Sequence, residues 1–210
     1  MRSVGINAIN IVDDDRLIDV QLTEGDNDVL LATRNGKSIR FTESDAREMG
    51  RATRGVRGIS LAKGDAVVGL VVVRREGSVL TVSRLGMGKR TPVDEYRVQR
   101  RGGKGLINLR LTPKTGEVIA VKEVTDDDEL MLVTRAGVIN RQHASEIRVI
   151  GRNTQGVRLV SLDEGDEVVD VARILVDLSD VDSEGGEILA GSPEADPDVG
   201  EHAATERAES

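Results

Sequence analysis

The sequence GLINLRL, residues 105–111, decides the fold of this chain because close variants of it recur at a fixed spacing. The other copies are GINAINI at 5–11, GVRGISL at 55–61 and GVRLVSL at 156–162. Their leading glycines are 50, 50 and 51 residues apart. The chain therefore contains three full periods of about 50 residues and the first half of a fourth.

Three more apolar runs follow the first run within a period. In the third period they are VIAV at 118–121, LMLVT at 130–134 and VINR at 138–141. These runs are short, rich in β-branched residues and bounded by Gly and Asp, which is typical of strands. A glycine-containing turn such as Asn35-Gly36 separates the third run from the fourth and indicates a hairpin. Four strands per period predict an all-β, propeller-like array of four-stranded blades.

The repeats predict one folded body at residues 1–176, with a tail at 177–210. The tail holds 11 of the 37 acidic residues and one Arg, so the chain's net charge of −8 becomes +2 for the body. Because the tail has few large apolar side chains, we expect it to be disordered. We predict repeats near 5–54, 55–104 and 105–155, with a partial one at 156–176.

The loops that close each period combine glycine with Arg or Lys. They read GRATRG at 50–55, QRRGGKG at 99–105 and GRNTQG at 151–156. Glycine lets the backbone approach a surface closely, and cations with free N–H groups bind phosphate oxygens. Because each loop falls at the same place in its repeat, a bladed fold would set all three along one rim. A regular row of cations of this kind suits a bent DNA duplex.

Composition excludes several other functions. The two aromatic residues, Phe41 and Tyr96, cannot provide a stacking platform for single strands. The chain has no Cys, and no nucleophile, base and orienting group occur together, so we expect neither catalysis nor a metal site. It also lacks a leader-like segment and a run of roughly 20 apolar residues, so we expect a cytoplasmic chain without a membrane partner.

The motif QRRGGKG resembles the gyrase A box, which is found in the C-terminal DNA-wrapping domain of the A subunit of DNA gyrase. Similar segments are ATRGVRG at 52–58, GKRT at 88–91 and IGRNTQGV at 150–157, and the resemblance covers about residues 4–176. It implies a β-pinwheel, a propeller-like fold in which strands are exchanged between blades. It also implies that the domain wraps double-stranded DNA and so supports ATP-dependent negative supercoiling.

The resemblance extends to individual residues of the box. Arg100, Arg101 and Lys104 would contact phosphates, while the box glycines would shape the loop. Family members carry the box in the first blade, whereas two repeats precede it here. The residues predicted to bind DNA, from the box and the neighbouring loops and strands, are Gln99, Arg100, Arg101, Gly102, Gly103, Lys104, Gly105, Arg51, Arg54, Arg57, Lys89, Arg90, Arg152 and Arg158.

The implied partners are double-stranded DNA, the rest of the A subunit of gyrase, and the B subunit of gyrase. The cofactors ATP and Mg²⁺, and the catalytic tyrosine, belong to other parts of that enzyme, so this chain alone is not expected to be an enzyme. Two alternatives stay open. One is the corresponding domain of topoisomerase IV, which bends DNA less, although the intact box argues against it. The other is a protein-interaction propeller without a DNA role.

Overall fold

The structure is a computed structural model that describes residues 5–12, 14–74 and 76–174. The tail predicted at 177–210 lies outside these residues. The described part has eleven strands, three 3-10 turns and no α-helix, which confirms the all-β prediction. The strands are β1 (Asp28–Thr33), β2 (Lys37–Thr42), β3 (Val67–Val73), β4 (Ser78–Ser83), β5 (Met87–Pro92), β6 (Leu106–Ile107), β7 (Val118–Val124), β8 (Glu129–Thr134), β9 (Ile139–His143), β10 (Val157–Arg158) and β11 (Val168–Ile174).

Three antiparallel hairpins form the centres of the sheets. They are β1–β2, β4–β5 and β8–β9, built from the third and fourth apolar runs of successive repeats. Their turns contain Gly36, Gly86 and Gly137, with φ of 76°, 75° and 87°. Such angles are costly for residues with a Cβ, so the glycine in each turn fixes where the chain reverses.

Each sheet is completed by strands from later repeats. The first sheet has the order β3-β1-β2-β6, and the second has the order β10-β5-β4-β7. In both sheets, the second run of the next repeat pairs with the first strand of the hairpin. The first run of the repeat after next pairs with the second strand of the hairpin. The third sheet, β11-β8-β9, has only three strands. A blade therefore combines three successive repeats, which confirms the predicted strand exchange.

Alternating side chains of the central strands form the hydrophobic core between sheets. Leu30 of β1 belongs to one buried cluster with Val79 of β4 and Val121 of β7, which joins the first sheet to the second. Leu80 of β4 and Leu132 of β8 belong to another, which joins the second sheet to the third. Because successive residues of a strand point to opposite faces, β4 contributes to both clusters and lies fully buried between its neighbours.

A buried polar network crosses the first of these interfaces. The Tyr96 hydroxyl donates to Asn108 Oδ1 at 2.6 Å, and Asn108 Nδ2 donates to Thr81 Oγ1 at 3.0 Å. Burial raises the pKa of the Tyr96 hydroxyl well above its ordinary value. The side chain is 1% exposed, so Tyr96 is a packing residue of the fold.

The N-terminal runs differ from the prediction. The first runs of the first two repeats and the second run at 17–20 are not strands. Ile6, Val20 and Leu22 are 70%, 73% and 84% exposed. In the pairing pattern of the first two sheets, these runs would pair with hairpins of repeats before the first one. No such hairpin occurs among the described residues. An isolated run of this kind has no neighbour to satisfy its backbone, so it does not form a strand.

Candidate nucleic-acid interface

The three boundary loops are held at the same place in successive repeats. The backbone N–H of Asn10 donates to Thr53 O at 3.0 Å, that of Ser60 donates to Gly103 O at 2.8 Å, and that of Arg110 donates to Thr154 O at 2.9 Å. These bonds join equivalent positions of the first run and the loop that closes the same repeat. The loops therefore recur in register, as the sequence spacing predicts.

The box, residues 99–105, packs closely against β2 and the segment after Gly55. Gln99 N–H donates to Arg40 O at 2.7 Å, and Gly102 N–H donates to Gly58 O at 2.6 Å. Gly105 has a φ of 70°, and a Cβ added there would lie 2.5 Å from Ser38 O. Only glycine fits this position without displacing the backbone of β2.

Arg101 holds the box against the first run of its own repeat and against the end of the preceding repeat. Its Nε donates to Asp45 O at 3.1 Å, and its guanidinium also donates to Arg57 O. Arg152 occupies the same position in the next loop, where it donates to Ile107 O at 3.0 Å. Both side chains are partly buried. Both arginines are predicted to contact DNA. In the structure, some N–H groups of Arg101 and Arg152 donate to backbone oxygens and so hold the loops in place.

Other cations of these loops and first runs face solvent. Arg100 and Lys104 of the box are exposed, and two exposed positions recur between repeats: Lys104 aligns with Arg54, and Arg57 aligns with Arg158. Arginine and lysine side chains presented at regular intervals can each neutralise a phosphate. The other exposed members are Arg51, Arg54, Arg57, Arg110 and Arg158.

Lys89 and Arg90 do not fit their predicted role in DNA contact. Lys89 is 0% exposed and Arg90 is 5% exposed. Lys89 Nζ donates to Gly151 O at 2.6 Å and to Arg152 O, so it supports the third boundary loop from beneath. Arg90 Nε donates to Ile147 O at 2.9 Å, and its guanidinium pairs with Asp126. Both side chains are therefore parts of the fold.

The repeat alignment contains a signal for the burial of Lys89. Lys89 aligns with Ile39, which is 0% exposed in β2, so the position belongs to the core face of the hairpin. The positive charge by itself predicts an exposed position. The structure shows instead that the ammonium is compensated by carbonyl oxygens of the loop, as a buried cation must be.

The buried ammonium predicts a pH dependence of stability. Burial, with a smaller effect of Arg152, lowers the pKa of Lys89 from 10.5 to about 8. Because the unfolded chain binds this proton more tightly, the free energy of unfolding should rise as pH increases from about 8 towards 10.5. Lys89→Met should flatten this rise. Urea midpoints measured between about pH 7 and pH 9, where tyrosine in the unfolded chain is almost fully protonated, check it. If the free energy of unfolding of Lys89→Met rises equally with pH, groups other than Lys89 cause the rise.

Two kinds of feature are absent from the described residues. In this part of the chain no three His, Cys, Asp or Glu side chains lie close enough together to hold a metal ion. No helix there is long and apolar enough to cross a membrane.

The fold and the loops define a class of protein: a strand-exchanged β-propeller with cationic, glycine-containing loops at its repeat boundaries. The family described as "DNA gyrase C-terminal domain, beta-propeller" matches residues 1–24, 27–74, 77–125 and 128–174. The chain therefore belongs to the DNA gyrase C-terminal domain family.

Relatives agree with this assignment. The A subunit of DNA gyrase from Escherichia coli (strain K12) is 44% identical over 201 residues, which are 95% of this chain and 23% of the relative. Its counterpart from Lawsonia intracellularis is 47% identical over 171 residues, 80% of this chain and 21% of the relative. The chain thus spans about a quarter of these proteins or less.

Two solved structures are about equally similar. A DNA gyrase A C-terminal domain has a TM-score of 0.77 and 28% identity, and the match covers 81% of this chain and 58% of that one. The C-terminal domain of a DNA topoisomerase IV has a TM-score of 0.76 and 27% identity, with coverages of 80% and 52%. The backbone fold alone therefore does not distinguish a gyrase C-terminal domain from a topoisomerase IV C-terminal domain.

Proposed function

We propose that this chain binds double-stranded DNA through its phosphates and bends it along the boundary loops. The observation that carries the proposal is the recurrence of the loops, each held by an equivalent backbone bond 2.8–3.0 Å long. A duplex presents phosphates at regular intervals, so exposed cations carried by successive boundary loops and first runs can contact one duplex at several points. A duplex engaged at several points on successive repeats follows the path of those repeats, and this path sets the bend.

The proposed DNA-contacting residues follow from exposure and position. Arg100 and Lys104 of the box contact phosphates, and the exposed cations of the other loops and first runs extend the path. Gln99 and Arg101 position the box, and its glycines let the backbone approach the duplex. Binding through phosphates carries little base-sequence information, so the chain acts as a binder of duplex shape and charge. The additional contacts are Arg51, Arg54, Arg57, Arg110 and Arg158, whereas Arg152, the equivalent of Arg101, positions the third boundary loop.

Within the family, this activity makes the chain the DNA-wrapping domain of the A subunit of gyrase. There it supports negative supercoiling in the cytoplasm. Strand cleavage and ATP hydrolysis are supplied by the rest of the A subunit of gyrase, together with the B subunit of the same enzyme. The box at 99–105 favours gyrase over topoisomerase IV. No step of catalysis is assigned to this chain.

Duplex binding and bending can be measured together. The purified chain is titrated into a long duplex labelled at both ends with a fluorescent donor and acceptor, and into the matched single strand, over a range of salt. We expect tight duplex binding that weakens steeply with salt, ignores sequence and brings the duplex ends together. Weak bending with tight binding would favour the topoisomerase IV alternative. Absence of duplex binding at low salt would overturn the proposal and favour a protein-interaction propeller.

A further inference from the structure

A cleft of about 330 Å³ lies between the hairpin turn of the first sheet and the third boundary loop. Asn35 and Lys37 line it from the turn. Arg110 lines it from the first run of the third repeat, and Asn153 lines it from the loop. Among the described residues, no Asp or Glu lines this cleft. Two cations and two amides therefore share a concave surface that carries no negative charge of its own.

Backbone contacts fix both walls of the cleft. On one side, the N–H groups of Asn108 and Leu109 donate to Gly36 O at 2.8 and 3.2 Å. A Cβ on Gly36 would lie 2.4 Å from Leu109 O, so the turn packs directly on the first run. On the other side, the N–H of Arg110 donates to Thr154 O at 2.9 Å. The backbone that carries the lining side chains is thus already in place, which lowers the entropic cost of binding a ligand.

The two cations of the cleft are available to a ligand. Arg110 is exposed and Lys37 is partly exposed. In the part of the chain that the structure describes, neither side chain donates to a protein oxygen or pairs with a carboxylate. The carboxylate of Asp65 next to the turn accepts N–H bonds from Asn35 and Ala66, both at 2.9 Å, and does not line the cleft. The positive charge of the cleft is therefore not neutralised within the fold.

Apolar side chains adjoin these charges. Ile107 and Leu111 line the cleft on the two sides of Arg110 in the sequence, and Ile107 is 38% exposed. A phosphodiester has anionic oxygens between two sugars, and the C–H groups of those sugars are apolar. Proteins that bind DNA through its backbone contact both the phosphates and the sugars. The mixture of cations, amides and apolar side chains therefore fits a nucleic-acid backbone better than a free phosphate ion.

The cleft lies between two of the boundary loops. The box ends at Gly105, and the first run that begins there reaches the third boundary loop at Arg110. This distance of five residues spans at most about 18 Å of extended chain. A duplex carries one charge per about 1.7 Å of its axis, so roughly ten phosphates of its two strands fall within that interval. A duplex that contacts both loops therefore passes over the cleft.

We propose that this cleft binds the sugar-phosphate backbone of the duplex between the box and the third boundary loop. Lys37 and Arg110 contact phosphate oxygens, and the side-chain amide of Asn153 donates to a phosphate oxygen as well. Ile107 and Leu111 pack against the adjoining sugar. Lys37 and Asn153 are thus DNA contacts in addition to the exposed cations of the loops and first runs. The inference rests on the proposed function, because it assigns a further site to the same duplex.

Lys37→Ala combined with Asn153→Ala tests the cleft by removing one charge and one amide from the full chain. Both side chains are at least partly exposed, so the fold should be kept, which urea denaturation checks. In duplex titrations over a salt series, affinity should fall roughly five- to tenfold at about 0.1 M salt. The slope of log affinity against log salt should become shallower by roughly 0.9. Lys122→Ala removes one charge from β7, outside the cleft and the boundary loops, and should leave the slope nearly unchanged.

A crosslinking experiment shows directly whether the duplex enters the cleft. Because the chain has no cysteine, a photoreactive aryl azide can be attached at a single position, through Lys37→Cys, Lys104→Cys or Lys122→Cys. Irradiation should crosslink the duplex to the first two variants and not to the third. A crosslink from Lys104→Cys without one from Lys37→Cys would overturn the cleft and leave the proposed function intact, as would a cleft double variant that binds like Lys122→Ala. Failure of the unaltered chain to bind duplex would overturn the proposed function and the inference with it.

Discussion

Arg100→Ala combined with Lys104→Ala is expected to weaken duplex binding by roughly 50-fold at about 0.1 M salt. Both side chains are exposed on a loop whose backbone is fixed by bonds from Gln99 and Gly102. Removing them therefore deletes phosphate contacts without moving the loop. The slope of log affinity against log salt should become shallower by roughly 0.9 for each lost contact, hence by nearly two units. Anisotropy titrations of a labelled duplex over a salt series give both quantities.

The matched control removes the same charge elsewhere. Lys63→Ala with Lys122→Ala changes two exposed lysines, one in the turn between the first and second runs and one in β7, neither of which lies in a boundary loop. It should leave the salt slope nearly unchanged and lower affinity only slightly, through long-range electrostatics. Equal losses in the two double variants would show that binding depends on net charge and not on the box.

Gly105→Ala is expected to cause the largest loss of stability among changes in the box. The left-handed conformation at φ 70° costs a residue with a Cβ about 1–2 kcal/mol. The new methyl group would in addition lie 2.5 Å from Ser38 O, a backbone atom of β2 that cannot rotate away. The outer strand β6 must then separate from β2, which moves Lys104 and weakens DNA binding as well. Urea denaturation and duplex titration of the variant measure the two effects.

Gly64→Ala separates the two causes. Gly64 has a φ of 76°, but a Cβ there would meet nothing within 4 Å. It should therefore show only the conformational cost of about 1–2 kcal/mol and retain DNA affinity. If Gly105→Ala is no more destabilising than Gly64→Ala, the contact with Ser38 O does not constrain the box. If it loses stability but keeps full affinity, the position of β6 does not control the loop.

Much of the fold follows from local pattern. The glycine turn between the third and fourth runs specifies a hairpin because Gly36 and its equivalents need positive φ. Strand boundaries in the hairpins therefore agree with the prediction to within a residue or two. The first runs are harder to predict. Residues 106–107 form a strand while the equivalent residues 56–57 do not, although their patterns are alike. The difference lies in whether a hairpin stands beside them.

The candidate DNA-binding site was also only partly predictable from the sequence. Glycine and cations at the repeat boundaries could be predicted from spacing alone, and Arg100 and Lys104 are exposed as that interpretation requires. The roles of Arg101 and Lys89 could not be predicted. Arg101 meets backbone oxygens 44 and 56 residues away, and Lys89 meets Gly151 O 62 residues away. Such contacts form only once segments far apart in the sequence are folded against one another.

The sequence by itself determined the repeat length, the strand type, the hairpins and the position of the cationic loops. These depend on side-chain periodicity and on backbone angles that neighbouring residues set. Only contacts between repeats in the folded structure show which repeats share a sheet and which cations are buried. Those outcomes depend on contacts between residues 35 to 70 positions apart, whose partners a local pattern does not specify. The same hydrophobic run is therefore a paired outer strand in one repeat and a segment outside any sheet in another.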